Sequence, residues 1–158
     1  MKQKYLLAYM DMTCRFAETS EAVRLKVGAS LVKNDSIIAL GINGMPPKWP
    51  TEVCEDKVYY RSGQVIDDKY AVHDGDRLWY NRVTKAECRH AEVACLEKLY
   101  NSPEIAEGST MFISHSPCNL CAIKILTAKI KSVYYRHDYR DSSGITYLRD
   151  NGVTVEKI

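Results

Sequence analysis

Lys26-Val27-Gly28-Ala29-Ser30-Leu31-Val32-Lys33-Asn34-Asp35-Ser36-Ile37-Ile38-Ala39-Leu40-Gly41-Ile42 is the stretch on which the fold turns. Two short apolar runs, 27–32 and 37–42, flank Lys33-Asn34-Asp35-Ser36, whose residues favour a turn, so the pair predicts a β-hairpin. Neither run alternates apolar with polar positions, as expected of strands covered by helices on both faces. Upstream, residues 3–19 carry Tyr5, Leu6, Tyr9, Met12, Cys14 and Phe16 at roughly helical spacing and predict a helix. Downstream, helices are predicted over 91–100, with Ala91, Ala94, Cys95 and Leu99 inward, and over 119–129, with Leu120, Ile123 and Leu126 or Thr127 on one side. A short helix through 147–150 stops at Asn151-Gly152, and strands are predicted at 110–114, 132–135 and 153–155. This order predicts an α/β fold, a three-layer α/β/α sandwich around a central mixed five-stranded sheet.

Between these parts lies a long insertion, about 45–87. Met45-Pro46-Pro47-Lys48-Trp49-Pro50 excludes regular structure at its start, and Asp67-Asp68, Asp74-Gly75-Asp76 and Asn81 read as loop. A connection of this length implies a functional or oligomer-forming role. The whole, 1–158, reads as a single domain.

Composition narrows the class. With 158 residues, 46% hydrophobic and 27% charged, the chain has the balance of a globular domain and not of a disordered one. No apolar run approaches the ~20 residues that span a bilayer. Asp11 interrupts the N-terminal apolar stretch too early for a secretory signal, so a cytoplasmic protein without membrane partners is expected. A net charge of +2 gives no argument for nucleic-acid binding. Six cysteines in a reducing compartment then divide between core residues and metal ligands; Cys14 and Cys95 fall on apolar helix faces and read as core.

Two motifs carry chemistry. His90-Ala91-Glu92 begins one predicted helix and Pro117-Cys118-Asn119-Leu120-Cys121 begins the next. Cys118 and Cys121, three apart, share one face of a first helical turn, where the helix end favours thiolate, the form that binds metal. His90 can supply a third ligand, provided it sits at the cap with non-helical backbone, so that it and Glu92 face one site. Three ligands leave one tetrahedral position of Zn2+ open, and open zinc sites are catalytic. A nearby carboxylate, Glu92, can hold the proton that an acidified water releases.

His-x-Glu followed by Pro-Cys-x-x-Cys is the zinc deaminase signature. The chain resembles the cytidine/deoxycytidylate deaminase superfamily, and within it the deoxycytidylate (dCMP) deaminases, compact viral forms included. The resemblance rests on Lys26-Val27-Gly28-Ala29, Gly41-Ile42-Asn43-Gly44, His90-Ala91-Glu92 and Ser116-Pro117-Cys118-Asn119-Leu120-Cys121, in family order over nearly the whole chain. It implies zinc-dependent hydrolysis of dCMP to dUMP and ammonia, supplying dUMP for thymidylate synthesis, with Glu92 as proton shuttle. It also implies that Asn43, the Ala91 amide and the Ser116 carbonyl contact the substrate and that Tyr139 packs over sugar or base. Arg24 and Lys26 are candidates for the phosphate. His115 reads as a residue that packs or that supports the metal ligands from behind, since the family often has an apolar residue there. A second, structural zinc at Cys54, His73 and Cys88, known in some dCMP deaminases, lacks compact ligand spacing. The resemblance further implies a homo-oligomer, a hexamer, with dCTP and dTTP as effectors, although Ile42 replaces a tyrosine of the regulatory segment. Other readings are a dCTP or cytidine deaminase, a tRNA adenosine deaminase, and a catalytically inactive zinc-stabilised nucleotide-binding module.

Overall fold

The computed structural model describes residues 1–61, 71–75 and 79–158. The hairpin forms as predicted: β1 (Gly28–Lys33) pairs antiparallel with β2 (Ser36–Ile42), with Lys33 opposite Ser36. Asn34 and Asp35 take φ of 50° and 57°, the left-handed pair that a two-residue turn matched to strand twist requires. On its other side β1 pairs antiparallel with β6 (Thr110–His115). From there the sheet runs parallel through β7 (Ser132–His137) and β8 (Thr154–Lys157), in the order β2-β1-β6-β7-β8.

Among the described residues, one helix lies on one face and three on the other. Helix α1 (Gln3–Ala17) turns Leu6, Tyr9, Met10, Thr13 and Ala17 inward at helical spacing, and Met10 packs with Val32 and Phe112. Buried Thr13 Oγ1 meets Ser30 Oγ at 2.6 Å and lies 2.7 Å from the Tyr9 carbonyl, so the hydroxyls buried between helix and sheet have partners. On the opposite face, α2 (Ala91–Glu97), α3 (Asn119–Thr127) and α4 (Ser143–Asp150) enclose the larger core of Leu31, Met111, Ile113, Ile125, Val133, Leu148 and their neighbours. This is the expected three-layer sandwich on a mixed five-stranded sheet. Both β6–α3–β7 and β7–α4–β8 are parallel crossovers, so the N-termini of their helices sit at the carboxyl edge of the sheet.

Two expectations are corrected. The predicted stripe of α3 is out of phase: Leu120 and Ile123 are 70% and 43% exposed, while Cys121, Ala122 and Ile125 are buried. Turning Cys121 toward His90 sets the rotation of this helix and carries Leu120 outward. The insertion is also not purely irregular. It holds a separate antiparallel sheet of β3 (Glu55–Tyr59), β4 (Val72–His73) and β5 (Trp79–Thr84), in the order β3-β5-β4. Asn81, read as loop, lies in β5. Charged Glu55-Asp56-Lys57 gives no alternating apolar signal, because Glu55 is buried for a polar reason: its Oε1 accepts the amides of Val23 and Arg24 at 3.0 and 3.1 Å. Asp74 and Gly75 are irregular as expected, and Asp67, Asp68 and Asp76 lie outside the described residues.

Candidate active site

Two helix starts meet at the carboxyl edge of the sheet. His90 caps α2 with φ −73° and ψ 153°, and Cys118 caps α3 with φ −71° and ψ 168°. Extended backbone at position 90 is what lets His90 and Glu92 face the same point. His90 Nδ1 lies 3.5 Å from Cys118 Sγ and 3.3 Å from Cys121 Sγ. Among the described residues, these three are the one group of His, Cys, Asp or Glu able to share an ion.

The donor set fits zinc. Around a tetrahedral ion with metal–sulfur bonds of about 2.3 Å and metal–nitrogen bonds of about 2.0–2.1 Å, sulfur and nitrogen stand ~3.5 Å apart. Contact with Cys121, and then with His90, brings the Cys118 thiol down to about 4, while contact with Cys118, and then burial, pushes Cys121 up. A second thiolate needs added positive charge, which a dication supplies.

Glu92, in the first turn of α2, is 4% exposed. Burial holds its carboxyl above the usual carboxylate range, partly offset by its own backbone amide and by His90. A carboxyl raised by burial beside a metal-ligand set is suited to taking up and returning a proton.

The scaffold holds these groups through close backbone contacts. At Gly41 of β2, a Cβ would stand 2.8 Å from Cys95 Cα and nearer still to the Ala91 carbonyl, so only glycine seats α2 this close to the strand. At Gly144, in the first turn of α4, a Cβ would lie 2.8 Å from both the carbonyl carbon and oxygen of Cys118 and nearer to the Pro117 carbonyl oxygen. Sequence reading assigned no role to either glycine, because such contacts join residues far apart in the chain.

The other predicted residues fall as follows. Asn43 is engaged by the protein: its Oδ1 accepts the Val27 amide at 2.8 Å and lies 2.8 Å from Ser20 Oγ, and its Nδ2 donates to the Leu25 carbonyl at 2.7 Å. Gly44 and Arg89 exchange backbone hydrogen bonds of 3.1 and 2.9 Å, which fixes the residue before His90 against the end of β2. Ala91 is fully buried, and its amide, at the start of α2, has no acceptor among the described residues. Ser116 accepts the Tyr139 amide on Oγ at 2.8 Å and donates its own amide to the His137 carbonyl at 2.8 Å, and its carbonyl has no donor among the described residues. Lys26 Nζ donates to the Glu18 carbonyl at 3.0 Å, and the Arg24 side chain is exposed. Cys95 is buried core and Cys14 packs at the edge of the α1 layer.

The set Cys54, His73 and Cys88 is not assembled. Cys54 and Cys88 are buried together beside Ala22 and Met45, and burial, then Cys54, pushes the Cys88 thiol up to about 12. His73 is exposed on β4, edge-on to Trp79 at 5.2 Å, with Nδ1 accepting the Gly75 amide at 3.2 Å.

Comparison with known proteins agrees with this geometry. Residues 3–137 match the family model of the cytidine and deoxycytidylate deaminase zinc-binding region. ComE operon protein 2 of Bacillus subtilis is 30% identical over 159 residues, covering all of this chain and 68% of that protein. Human deoxycytidylate deaminase is 31% identical over 147 residues, covering 89% of this chain and 70% of that one. The crystal structure of dCMP deaminase from cyanophage S-TIM5 in complex with dCMP and dUMP superposes with a TM-score of 0.81 at 38% identity, over 100% of this chain and 99% of that one. With the match spanning most of its length and the donor triad in place, the chain belongs to the cytidine and deoxycytidylate deaminase zinc-binding family.

Proposed function

We propose that this protein is a zinc-dependent hydrolase that converts dCMP and water to dUMP and ammonia, built as one deaminase domain over residues 1–158. The observation that carries the reading is the buried carboxyl of Glu92 beside the His90, Cys118 and Cys121 donors. The end-to-end likeness to a cyanophage enzyme crystallised with dCMP and dUMP supports the choice of substrate.

His90, Cys118 and Cys121 would hold the ion, which when bound supplies a Lewis acid that makes a coordinated water nucleophilic near neutral pH. Glu92 accepts a proton from the attacking water and delivers it to N3 of the pyrimidine as C4 is attacked; it then takes the proton of the new C4 hydroxyl and passes it to the departing amino group, leaving the C4 carbonyl of dUMP and ammonia. One carboxyl serves as base and then acid, so its raised proton affinity suits both roles. The open amide of Ala91 and open carbonyl of Ser116 offer a donor and an acceptor to the edge of the base, the pairing that rejects a ring with the opposite pattern. Asn43 borders the sugar from the end of β2 while holding the 20–27 segment, and Tyr139 packs over the nucleotide. Arg24 and Lys26 lend positive charge at the rim.

Family resemblance further supports a cytoplasmic homo-oligomer, a hexamer, with dCTP and dTTP as candidate effectors. No helix among the described residues is long and apolar enough to cross a membrane. The test is ammonia release from dCMP, dCTP, CMP and deoxycytidine by the zinc-loaded protein. Highest kcat/KM on dCMP is expected; no release from dCMP, or a preference for another substrate, overturns the reading.

A further inference from the structure

His115 and His137 stand opposite one another at the carboxyl ends of β6 and β7, with ring centroids 5.1 Å apart and planes tilted by 42°. His115 is half-buried and His137 exposed. Ser114, buried beneath them, accepts the Gly28 amide on Oγ at 3.1 Å, and the same oxygen lies 3.1 Å from His115 Nδ1. Ser114 Oγ, which accepts from β1, can give its hydroxyl proton to Nδ1. In that tautomer neutral His115 carries its ring proton on Nε2, a donor with no protein acceptor among the described residues. No hydrogen bond engages the His137 ring among the described residues, and the adjacent carboxylate, Asp138, is paired with Lys157. Burial, and then the proximity of His137, hold the proton affinity of His115 below its ordinary value. Two rings so placed resist sharing positive charge, and a bound anion removes that penalty.

The pair is also tied to the catalytic groups. The His137 carbonyl accepts the Ser116 amide, and Cys118 follows His115 by three residues, a span of about 10 Å when extended. Ligands of open α/β sheets bind outside the carboxyl ends of the strands, where both rings sit. Of the two cations expected from sequence to meet a phosphate, Arg24 and Lys26, Lys26 donates to the Glu18 carbonyl.

We infer that His115 and His137 form an anion site that receives the 5′-phosphate of the nucleotide and so sets the preference for dCMP over the phosphate-free nucleoside. The inference rests on the dCMP reading above. Each ring gives one N–H to the phosphate oxygens, with a second charge-assisted bond where a ring is protonated.

The test compares wild type with His115→Gln, His137→Gln and the double variant, each checked for native melting behaviour and zinc content. The ratio of kcat/KM for dCMP to that for deoxycytidine is expected to fall at least tenfold in each single variant, mainly through KM for dCMP. A ratio unchanged within twofold, or equal loss on both substrates, overturns the anion site. A second measurement does not depend on turnover: inorganic phosphate is titrated into the zinc-loaded protein while the Cε1–H resonances of its four histidines are followed. Saturable shifts of two of them, abolished in the double variant, support the site, and their absence overturns it. Lack of ammonia release from dCMP by wild type overturns the deaminase reading alone, because the phosphate titration still decides the anion site.

Discussion

Gly144→Ala tests the claim that backbone contact, and not side-chain packing, fixes the metal ligands. The added methyl carbon would stand 2.8 Å from the carbonyl carbon and oxygen of Cys118, and closer to the Pro117 oxygen, where an ordinary contact needs about 3.5 Å. Relief requires a displacement of about 1 Å between α4 and the Pro117–Cys118 segment. Helix α4 is held by buried Ile145 and Leu148, and Pro117 is itself buried, so neither side yields freely. Overpacking of this kind costs about 1–3 kcal/mol, which for a chain of this size lowers Tm by roughly 3–10 °C. The strain falls on Cys118, and a 1 Å misplacement of a reacting group can cost on the order of 10²-fold in rate. Scanning calorimetry, zinc analysis and steady-state deamination on Gly144→Ala would read these effects. Gly44→Ala is the stability control, because its Cβ meets nothing within 4 Å; it should melt within about 0.5 kcal/mol of wild type. A Gly144→Ala protein with native Tm, zinc content and turnover would refute the reasoning.

Glu92→Gln should lower turnover by about 10²–10⁴-fold while keeping zinc, measured by ammonia release beside metal analysis. Because burial disfavours the charged carboxylate, the amide should melt no lower than wild type at neutral pH. Cys121→Ser removes one of three donors and should abolish stoichiometric zinc; chelation of wild type should lower Tm, whereas Cys121→Ser should not respond to chelator. His115 has a depressed pKa when folded, so its neutral ring contributes stability above its unfolded pKa of about 6.5, and this is lost as pH falls through the folded pKa. Denaturant titrations from pH 7.5 to pH 5 should show a shallower loss of stability in His115→Gln; identical slopes would refute the claim.

Much of the architecture was legible in local sequence. Asn34-Asp35 marked the turn between two apolar runs, and it forms with both residues left-handed. His90-Ala91-Glu92 and Cys118–Cys121 marked helix starts, and the structure has both helices beginning there. What sequence could not supply were facts that depend on distant partners. Leu120 looks like a core residue by type, but the rotation of α3 follows Cys121, and only the meeting with His90 reveals it. Glu55 looks like a surface charge, yet it is buried where two amides 31 and 32 residues away point at it. Asn43 was read from resemblance as a substrate contact, while its hydrogen bonds to Val27 and Leu25 appear only once the chain is folded.

The pairing of β1 with β6 joins residues 29–32 to residues 110–113 and so closes a loop of roughly eighty residues that contains the small sheet. Closure entropy grows only with the logarithm of loop length, so halving or doubling that loop changes the free energy of folding by about 0.6 kcal/mol. Segments of quite different size can thus be exchanged between Gly44 and Arg89 with little thermodynamic effect, provided that the reciprocal bridge between those two residues survives. Selection, or a protein engineer, has there a region in which length is nearly free.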